Sequence, residues 1–267
     1  MPHLKLTIAY DGTALVGWQR QASGVSVQGL LEEALAPLEG RAVTVHGAGR
    51  TDAGVHALAQ VASVTLQRDV DPRVVVKAVN MRLPHAVRLI DATVVPPGFH
   101  ARFDATAKTY RYRIWNGQVV SPFERPYVWQ VAWPPLDIAA MQDAAGRLQG
   151  THDFAAFQGA GTDVDTSVRT IFSSDIQAAD VRHGERLITY EVRGDGFLRQ
   201  MVRAIAGTLV EVGRGRRSPA WIEEVLASAH RATAGRTAPA SGLFLVGVDY
   251  ERPQTAEAGT QNSSLHV

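Results

Sequence analysis

Hydrophobic residues alternate with less hydrophobic ones near the start of the chain, at Leu4, Leu6, Ile8 and Tyr10. This period of two predicts a β-strand. After Ser26 the apolar residues recur every three or four positions, which predicts a helix capped by this serine. The first half of the chain also predicts a helix from Asp71-Pro72 and strands over residues 56–66 and 87–95.

The second half of the chain repeats this mixture of periods. Strand patterns cover residues 109–115, 126–133, 171–182, 186–193 and 242–250. Helices are predicted from Asp137, over residues 197–212 with Gly213 at the end, and from Ser218-Pro219. Because the strands tend to arrive in pairs without a helix between them, we expect a largely antiparallel sheet and the α+β class.

The order of elements suggests two similar halves. We place an N-terminal α+β half at residues 1–105 and a C-terminal α+β half, with a basic helix, at residues 106–250. Residues 251–267 are rich in small and polar residues, so we expect a disordered tail there.

Composition excludes several kinds of site. The chain has no cysteine, which rules out disulfides, thiolate nucleophiles and cysteine-ligated metals. It has no apolar run of about eighteen residues and no N-terminal pattern typical of a signal peptide. We therefore expect a soluble protein that is not exported and has no membrane partner.

The charge distribution is more informative than the net charge, which is +1. Between residues 197 and 217 one acid, Glu211, is outnumbered by arginines: Arg199, Arg203, Arg214, Arg216 and Arg217. This segment could form a surface that faces phosphates, or an ordinary solvated face, and the count alone does not separate the two.

The most unusual segment is residues 46–56, in which glycines surround the acid Asp52. Glycines allow a backbone to approach a ligand closely, and a carboxylate there could act as a nucleophile or a base. The alternative is structural: Asp52 caps a turn or pairs with Arg50. The spacing matches neither a phosphate-binding P-loop nor a dinucleotide-binding fingerprint.

Seven ordered blocks of the sequence, within residues 4–250, resemble the tRNA pseudouridine synthase A family. The central block is Gly49-Arg50-Thr51-Asp52-Ala53-Gly54-Val55-His56-Ala57. The others are Tyr10-Asp11-Gly12-Thr13 with Gly17-Trp18-Gln19-Arg20-Gln21, Phe99-His100-Ala101-Arg102-Phe103, Tyr110-Arg111-Tyr112, His152-Asp153-Phe154, Phe197-Leu198 with Met201-Val202-Arg203, and Gly242-Leu243 with Val248-Asp249-Tyr250.

The resemblance implies the pseudouridine synthase fold, with a largely antiparallel sheet flanked by helices and an active-site cleft between the two halves. It also implies an isomerase that converts uridine to pseudouridine in the anticodon stem-loop of tRNA, at tRNA positions 38–40. The expected enzyme is a cytoplasmic homodimer that needs neither a cofactor nor a metal.

The same resemblance assigns roles to individual residues. Asp52 is expected to be the essential catalytic residue, and Tyr110 to stack on the target uracil, although it could be an ordinary core aromatic. Arg203 is expected to pair with Asp52, with a phosphate contact or a solvated position as alternatives. Arg50 would hold open the backbone of the flipped nucleotide, and Leu243 would line the pocket.

Three mechanisms remain open for Asp52: attack on the ribose C1′, addition to uracil C6, or removal of the C2′ proton. Two other functions compete with this one. A non-catalytic RNA-binding protein would need no acid beside a glycine-rich loop. A glycosidase acting on free sugars usually needs two acids around the bond, and one acid stands out here. His56 is expected to be structural.

Overall fold

The computed structural model describes residues 1–161, 165–182 and 184–250. The first half of the chain forms the strands and helices β1 (His3–Tyr10), α1 (Val27–Glu39), β2 (His46–Gly47), β3 (His56–Thr65), α2 (Pro72–Asn80) and β4 (Val87–Val95). The expected tail, residues 251–267, and His183, between the strands predicted over residues 171–182 and 186–193, lie outside the described residues.

The second half of the chain forms β5 (Ala107–Asn116), β6 (Trp129–Val131), α3 (Ile138–Gly146), β7 (Gly150–Asp153), β8 (Val168–Arg182), β9 (Glu185–Gly194), α4 (Met201–Gly213), α5 (Trp221–Ser228) and β10 (Leu243–Asp249). Short 3-10 helices cover Arg125–Tyr127, Ala155–Phe157, Arg231–Thr233 and Ala240–Gly242.

All ten strands belong to one sheet, whose main path runs β4-β1-β3-β10-β5-β9-β8-β7. Along this path the pairs are antiparallel except β10 with β3, and β6 adds to β5 in parallel. The α+β class with a largely antiparallel sheet is therefore confirmed. β10 is the last described strand, yet it lies between the strands of the two halves, so it joins them. The domain boundary near residue 105 stays a prediction.

One row of paired residues crosses the middle of the sheet and shows that its two parts share a face. The row runs through Tyr10, Ala57, Leu245, Tyr110 and Val192. Because directly paired residues point to the same side of a sheet, Tyr10 and Tyr110 lie on the same face. All five residues belong to one buried core, which also contains apolar residues of the helices.

The predicted helix caps are present. The Ser26 hydroxyl accepts a hydrogen bond from the Gly29 amide at 3.2 Å, and the Asp137 carboxylate accepts one from the Ala140 amide at 3.0 Å. Asp71 caps α2 in the same way, with Pro72 in the first turn. These caps satisfy amides that have no partner inside the helix.

Several predicted elements have different bounds in the structure, and two of the differences have a clear physical reason. The helix expected from residue 197 begins at Met201, because Gln200 has a left-handed backbone with φ of 59°, which a right-handed helix cannot continue. The strand expected over residues 126–133 covers only Trp129–Val131. Pro126 lies in a 3-10 helix, where its fixed φ and missing amide hydrogen are tolerated.

The expected basic helix is wrong, because α4 is a core helix. All of its residues are buried except Arg203 and Glu211, which are partly buried. The number of arginines in a segment cannot predict that a helix is buried, because the number does not show which side chains lie on the same face. The structure instead places one arginine, Arg203, at the start of a buried helix.

The remaining arginines of the 199–217 segment have local partners. Arg214 and Arg216 both pair with Glu211, at 3.1 and 2.9 Å. Arg217 lies over the Trp221 ring. Before the helix, Arg199 donates to the Ala160 carbonyl at 2.9 Å. Of the two alternatives for this segment, a continuous phosphate-facing surface is therefore not the arrangement that its described side chains adopt.

Among the described residues, no helix is both long and apolar enough to span a membrane.

The close packing of α4 generates a stability prediction. A Cβ added at Gly207 would lie 1.7 Å from the Arg236 carbonyl oxygen, whereas one added at Gly146, at the end of α3, would meet nothing within 4 Å. We expect Gly207→Ala to lower the free energy of unfolding by about 1–3 kcal/mol through overpacking. Gly146→Ala should leave it unchanged or raise it by up to about 1 kcal/mol. Urea unfolding of both variants tests this, and equal effects would contradict the described packing.

Candidate active site

Asp52 lies in the loop that connects β2 to β3, at a turn closed by a hydrogen bond from the Val55 amide to the Asp52 carbonyl at 3.2 Å. A neighbouring segment holds this loop from one side. The Trp18 amide donates to the Thr51 carbonyl at 3.1 Å, and the Gly54 amide donates to the Leu15 carbonyl at 3.3 Å. The backbone on either side of Asp52 is thus fixed by another part of the chain.

Gly17 is required for this close approach. Its φ is +104°, and a Cβ there would lie 2.4 Å from the Thr51 carbonyl oxygen. A side chain would therefore clash with the backbone next to Asp52 and strain its own backbone. The block that contains Gly17 and Trp18 was part of the family resemblance. The structure shows why a glycine is needed in this block, because the Thr51 backbone leaves no room for a side chain.

Two buried side chains hold the loop from the sheet side. The Tyr10 hydroxyl is 2.9 Å from the Thr51 hydroxyl, and the Gln60 amide group donates to the Gly49 carbonyl at 3.0 Å. Burial raises the pKa of Tyr10 to about 12, so this hydroxyl is neutral at physiological pH. No role in the site was predicted for Tyr10 or Gln60, although Tyr10 stands in one of the matching blocks.

The Asp52 carboxylate pairs with Arg203, whose Nη1 is 3.1 Å from Oδ2. The side chains are 29% and 15% exposed, so Asp52 is neither sealed in the interior nor free in solvent. Arg203 is held a second time, because its Nε donates to the Ala238 carbonyl at 2.8 Å. The Ala238 amide in turn donates to the Arg203 carbonyl at 3.0 Å. The expected pair of Asp52 and Arg203 is therefore present.

Arg50 does not take part in that pair. Its side chain is exposed, and its Nε donates to the Gln19 side chain at 3.1 Å. The alternative in which Asp52 pairs with Arg50 is thus not the arrangement seen. The role expected for Arg50, holding a flipped nucleotide, stays a prediction.

Tyr110 lies on the face of the sheet that carries Tyr10, and its side chain is almost fully buried. Its ring packs edge-on against Phe197, with 5.0 Å between the ring centroids. Burial raises the pKa of Tyr110 well above the usual range, and the nearby Tyr10 and Asp52 raise it further. The hydroxyl is therefore neutral, and Tyr110 offers an aromatic ring close to Asp52.

Leu243 begins β10 opposite Tyr112, and it is buried. The Tyr112 hydroxyl donates to the Pro239 carbonyl at 2.7 Å, next to the residue that holds Arg203. The structure thus pairs Asp52 with Arg203 directly and places Tyr110 close enough to Asp52 for an electrostatic effect on its hydroxyl. Leu243 lies on the strand next to the one that carries Tyr110.

His56 has a structural environment. It is 1% exposed, its Nδ1 accepts a hydrogen bond from the Gly12 amide at 3.1 Å, and its ring stacks on Phe244. Burial lowers the pKa of His56, and the nearby Asp11 opposes this effect only in part. Its neutral ring therefore packs against Phe244 and holds the Gly12 amide in place.

No group of three or more potential metal ligands occurs in the part of the chain that the structure describes. An open groove of about 420 Å³ lies on the first half of the chain, lined by residues that include His46, Ser63 and His100 but not Asp52.

Fold and site together define an enzyme-like centre in which one carboxylate from the first half of the chain is held by an arginine from the second half. Comparison with known proteins gives the family. The family model described as tRNA pseudouridine synthase matches residues 6–104 and 144–251. The chain belongs to the tRNA pseudouridine synthase family. This confirms the family identified from the sequence blocks and the isomerase class that it implies.

Several curated relatives match over nearly their whole length. The tRNA pseudouridine synthase A of Solidesulfovibrio magneticus is 49% identical, covering 96% of this chain and 94% of the relative. Those of Solibacter usitatus and Myxococcus xanthus are 45% and 44% identical, covering 94% and 98% of this chain, and 100% and 98% of the relative. A chain in the crystal structure of a Cbf5-Nop10-Gar1 complex is 12% identical with a TM-score of 0.33, covering 78% of this chain and 45% of that one; this likeness supports no inference.

The buried His56 generates a prediction about pH. Because its pKa is lowered in the folded state, the unfolded chain binds a proton at higher pH than the folded chain does. The stability that depends on neutral His56 is present above a pH of about 6.5 and is lost as the pH falls toward the lowered value. We expect His56→Gln to reduce the fall in unfolding free energy between pH about 8 and about 5. The exposed His230, changed to Gln, is the matched control and should keep the wild-type slope. Identical slopes for the wild type and His56→Gln would refute the assignment.

Proposed function

We propose that this chain isomerises uridine to pseudouridine in the anticodon stem-loop of tRNA, at tRNA positions 38–40, with Asp52 as the essential catalytic carboxylate. The observation that carries the proposal is the Asp52–Arg203 pair, held on a fixed loop beside Tyr110. Membership of the tRNA pseudouridine synthase family supports the reaction and the substrate class.

The reaction balances without an external reagent. The bond between uracil N1 and ribose C1′ breaks, the detached uracil turns while it is held, and a bond forms between C5 and C1′. The C5 proton leaves and N1 gains a proton. No electrons are gained or lost, so the residues have to supply positioning, proton transfer and a carboxylate near the sugar.

The geometry around Asp52 suits such a carboxylate. Of the two Asp52 carboxylate oxygens, Arg203 donates to Oδ2, and the Asp52 side chain remains partly exposed, so it can meet a ribose. Three steps remain compatible with this position: attack on C1′, addition to uracil C6, and removal of the C2′ proton. Arg203 orients the acid for any of them, because its own side chain is tied to the Ala238 carbonyl.

In this proposal Tyr110 supplies an aromatic face for the extruded uracil. Stacking of a base on an aromatic side chain contributes about 1–3 kcal/mol, which offsets part of the cost of flipping the nucleotide. The raised pKa of Tyr110 supports a neutral ring rather than a phenolate base. Leu243 lines the pocket from the adjacent strand, and the exposed Arg50 holds the RNA backbone.

The proposal includes a homodimer in the cytoplasm with one tRNA held across both subunits. The family resemblance supports the dimer, and the location of tRNA supports the compartment. No cofactor or metal ion is assigned a part in the reaction.

Substitution of Asp52 tests its catalytic role. We expect Asp52→Ala to abolish the release of tritium from C5 of uridine in labelled tRNA, because the sugar then lacks its reacting carboxylate. The affinity for tRNA should stay within a few-fold of wild type, since Asp52 is not a phosphate contact. Asp91→Ala, on the exposed surface of β4, is the matched control and should release tritium normally.

A normal turnover of Asp52→Ala would refute the catalytic assignment. If the wild type bound tRNA but released no tritium, the chain would be a non-catalytic RNA-binding protein. Release of reducing sugar from oligosaccharides would favour a glycosidase instead.

Deletion of the gene tests the substrate position. In a strain that lacks the gene for this chain, we expect pseudouridine to disappear from the 3′ side of the anticodon stem-loop and to remain elsewhere in tRNA. Chemical mapping of pseudouridine in total tRNA measures this. Loss at a site outside the anticodon arm would show that the substrate assignment is wrong.

A further inference from the structure

Lys108 lies beside the loop that carries Asp52. It stands two residues before Tyr110 in β5, so both side chains point to the same face of the sheet. Its aliphatic part passes along the backbone of Gly49, since a Cβ built on Gly49 would be 3.5 Å from the Lys108 Cε. Gly49 is three residues before Asp52. The ammonium group therefore belongs to the surroundings of the candidate active site, although no role was expected for it.

Two arginines add positive charge at this place. The positive charges of Arg102 and Arg169 disfavour the charged form of Lys108, whereas the negative charge of Asp195 favours it. Arg169 lies against Gly196, close to the end of β9 where Gly194 pairs with Lys108. We refer to Arg102, Lys108 and Arg169 as the cationic cluster.

Among the described residues, no acid forms an ion pair with any of the three cations, although Asp195 lies near enough to act on Lys108. Lys108 is half-buried and forms no ion pair among the residues that the structure describes. Arg102 is exposed and lies over the Phe103 ring, and Arg169 donates to the carbonyls of Thr166 and Val168. Burial and the two neighbouring guanidinium charges lower the pKa of Lys108, and Asp195 does not fully compensate for them. A bound anion would remove this repulsion.

We propose that the cationic cluster of Arg102, Lys108 and Arg169 binds a backbone phosphate of the RNA, adjacent to the nucleotide whose ribose meets Asp52. The inference rests on the proposed function, because it takes the RNA to lie on this face of the sheet. Lys108 supplies a compact charge next to the loop backbone, and the arginines supply further donors. Binding this phosphate fixes the position of the ribose relative to Asp52.

The anion is an RNA phosphate because of where the cluster lies. Any nucleotide whose base packs at Tyr110 and whose sugar meets Asp52 carries phosphates on both sides of that sugar. Lys108 lies against Gly49, three residues before Asp52, so it is on the side of the loop where we expect one of these phosphates. The cluster therefore positions the substrate and takes no part in bond breaking.

The test compares tRNA binding by full-length Lys108→Met and Lys77→Met proteins over a range of salt concentrations. Lys77 is exposed on α2 and serves as the matched control. We expect Lys108→Met to weaken tRNA binding about tenfold at low salt, the size of one charge-assisted contact. The slope of log affinity against log salt should fall by about 0.7–0.9. Lys77→Met should match the wild type in both measurements.

A second measurement identifies the phosphate. A series of anticodon-arm RNAs carries one uncharged methylphosphonate linkage each, placed after a 2′-O-methyl nucleotide, and the controls carry the 2′-O-methyl group alone. We expect the wild type to lose affinity for a linkage flanking the target uridine, and Lys108→Met to lose nothing further there. Lys108→Arg should restore this sensitivity, which a purely structural role for Lys108 would not predict.

Unchanged affinity and salt slope in Lys108→Met would overturn the inference. The inference would also be overturned if the affinity of the wild type did not change with any methylphosphonate linkage flanking the target. This measurement uses the wild type alone, so it does not depend on the folding of a variant. Tritium release by the wild type is measured in parallel. If it is absent, the proposed function fails; if it is normal while the phosphate measurements are negative, only the role of the cluster fails.

Discussion

The site depends on one ion pair that crosses the molecule, from Asp52 in the loop before β3 to Arg203 at the start of α4. Each partner is held in place by its own surroundings. Arg203 is fixed because α4 is buried and because the Ala238 carbonyl binds its Nε. The Asp52 loop is fixed because Gly17 lets a second segment pack against its backbone. The fold thus fixes both the loop that carries Asp52 and the arginine that pairs with it. Catalysis requires such preorganisation.

The sheet explains why two distant segments meet. β10 comes last in the described chain but pairs with β3 on one side and with β5 on the other. It therefore places the strand that follows the Asp52 loop close to the strand that carries Tyr110 and Lys108. The loop at residues 238–239, just before β10, also accepts the bonds of Arg203 and Tyr112. The two pairings of β10 thereby bring the loop and the aromatic residue together, and the segment before β10 holds the arginine.

Much of the fold could be predicted from the sequence, because periodicity and caps are local signals. The Ser26 cap, the alternation in β1 and the paired strands of the second half all appear in the structure. The features that the sequence did not predict depend on contacts between distant parts of the chain. The neighbouring residues do not predict the left-handed backbone conformation of Gln200. The number of arginines after residue 197 could not predict that α4 is buried. Lys108 was missed because a lysine in a strand does not show which loop packs beside it. Its position two residues before Tyr110 was the available signal.

The central claim is that the Asp52 carboxylate meets the ribose of an extruded uridine. A crystal structure of the wild type with tRNA that carries 5-fluorouridine at the target position measures this directly, because fluorine replaces the hydrogen that must leave C5. The account predicts a flipped base against Tyr110, with an Asp52 oxygen within about 3.5 Å of C1′, C6 or the C2′ hydrogen position. A target base that stays stacked in the RNA, or that binds away from Asp52, would contradict it.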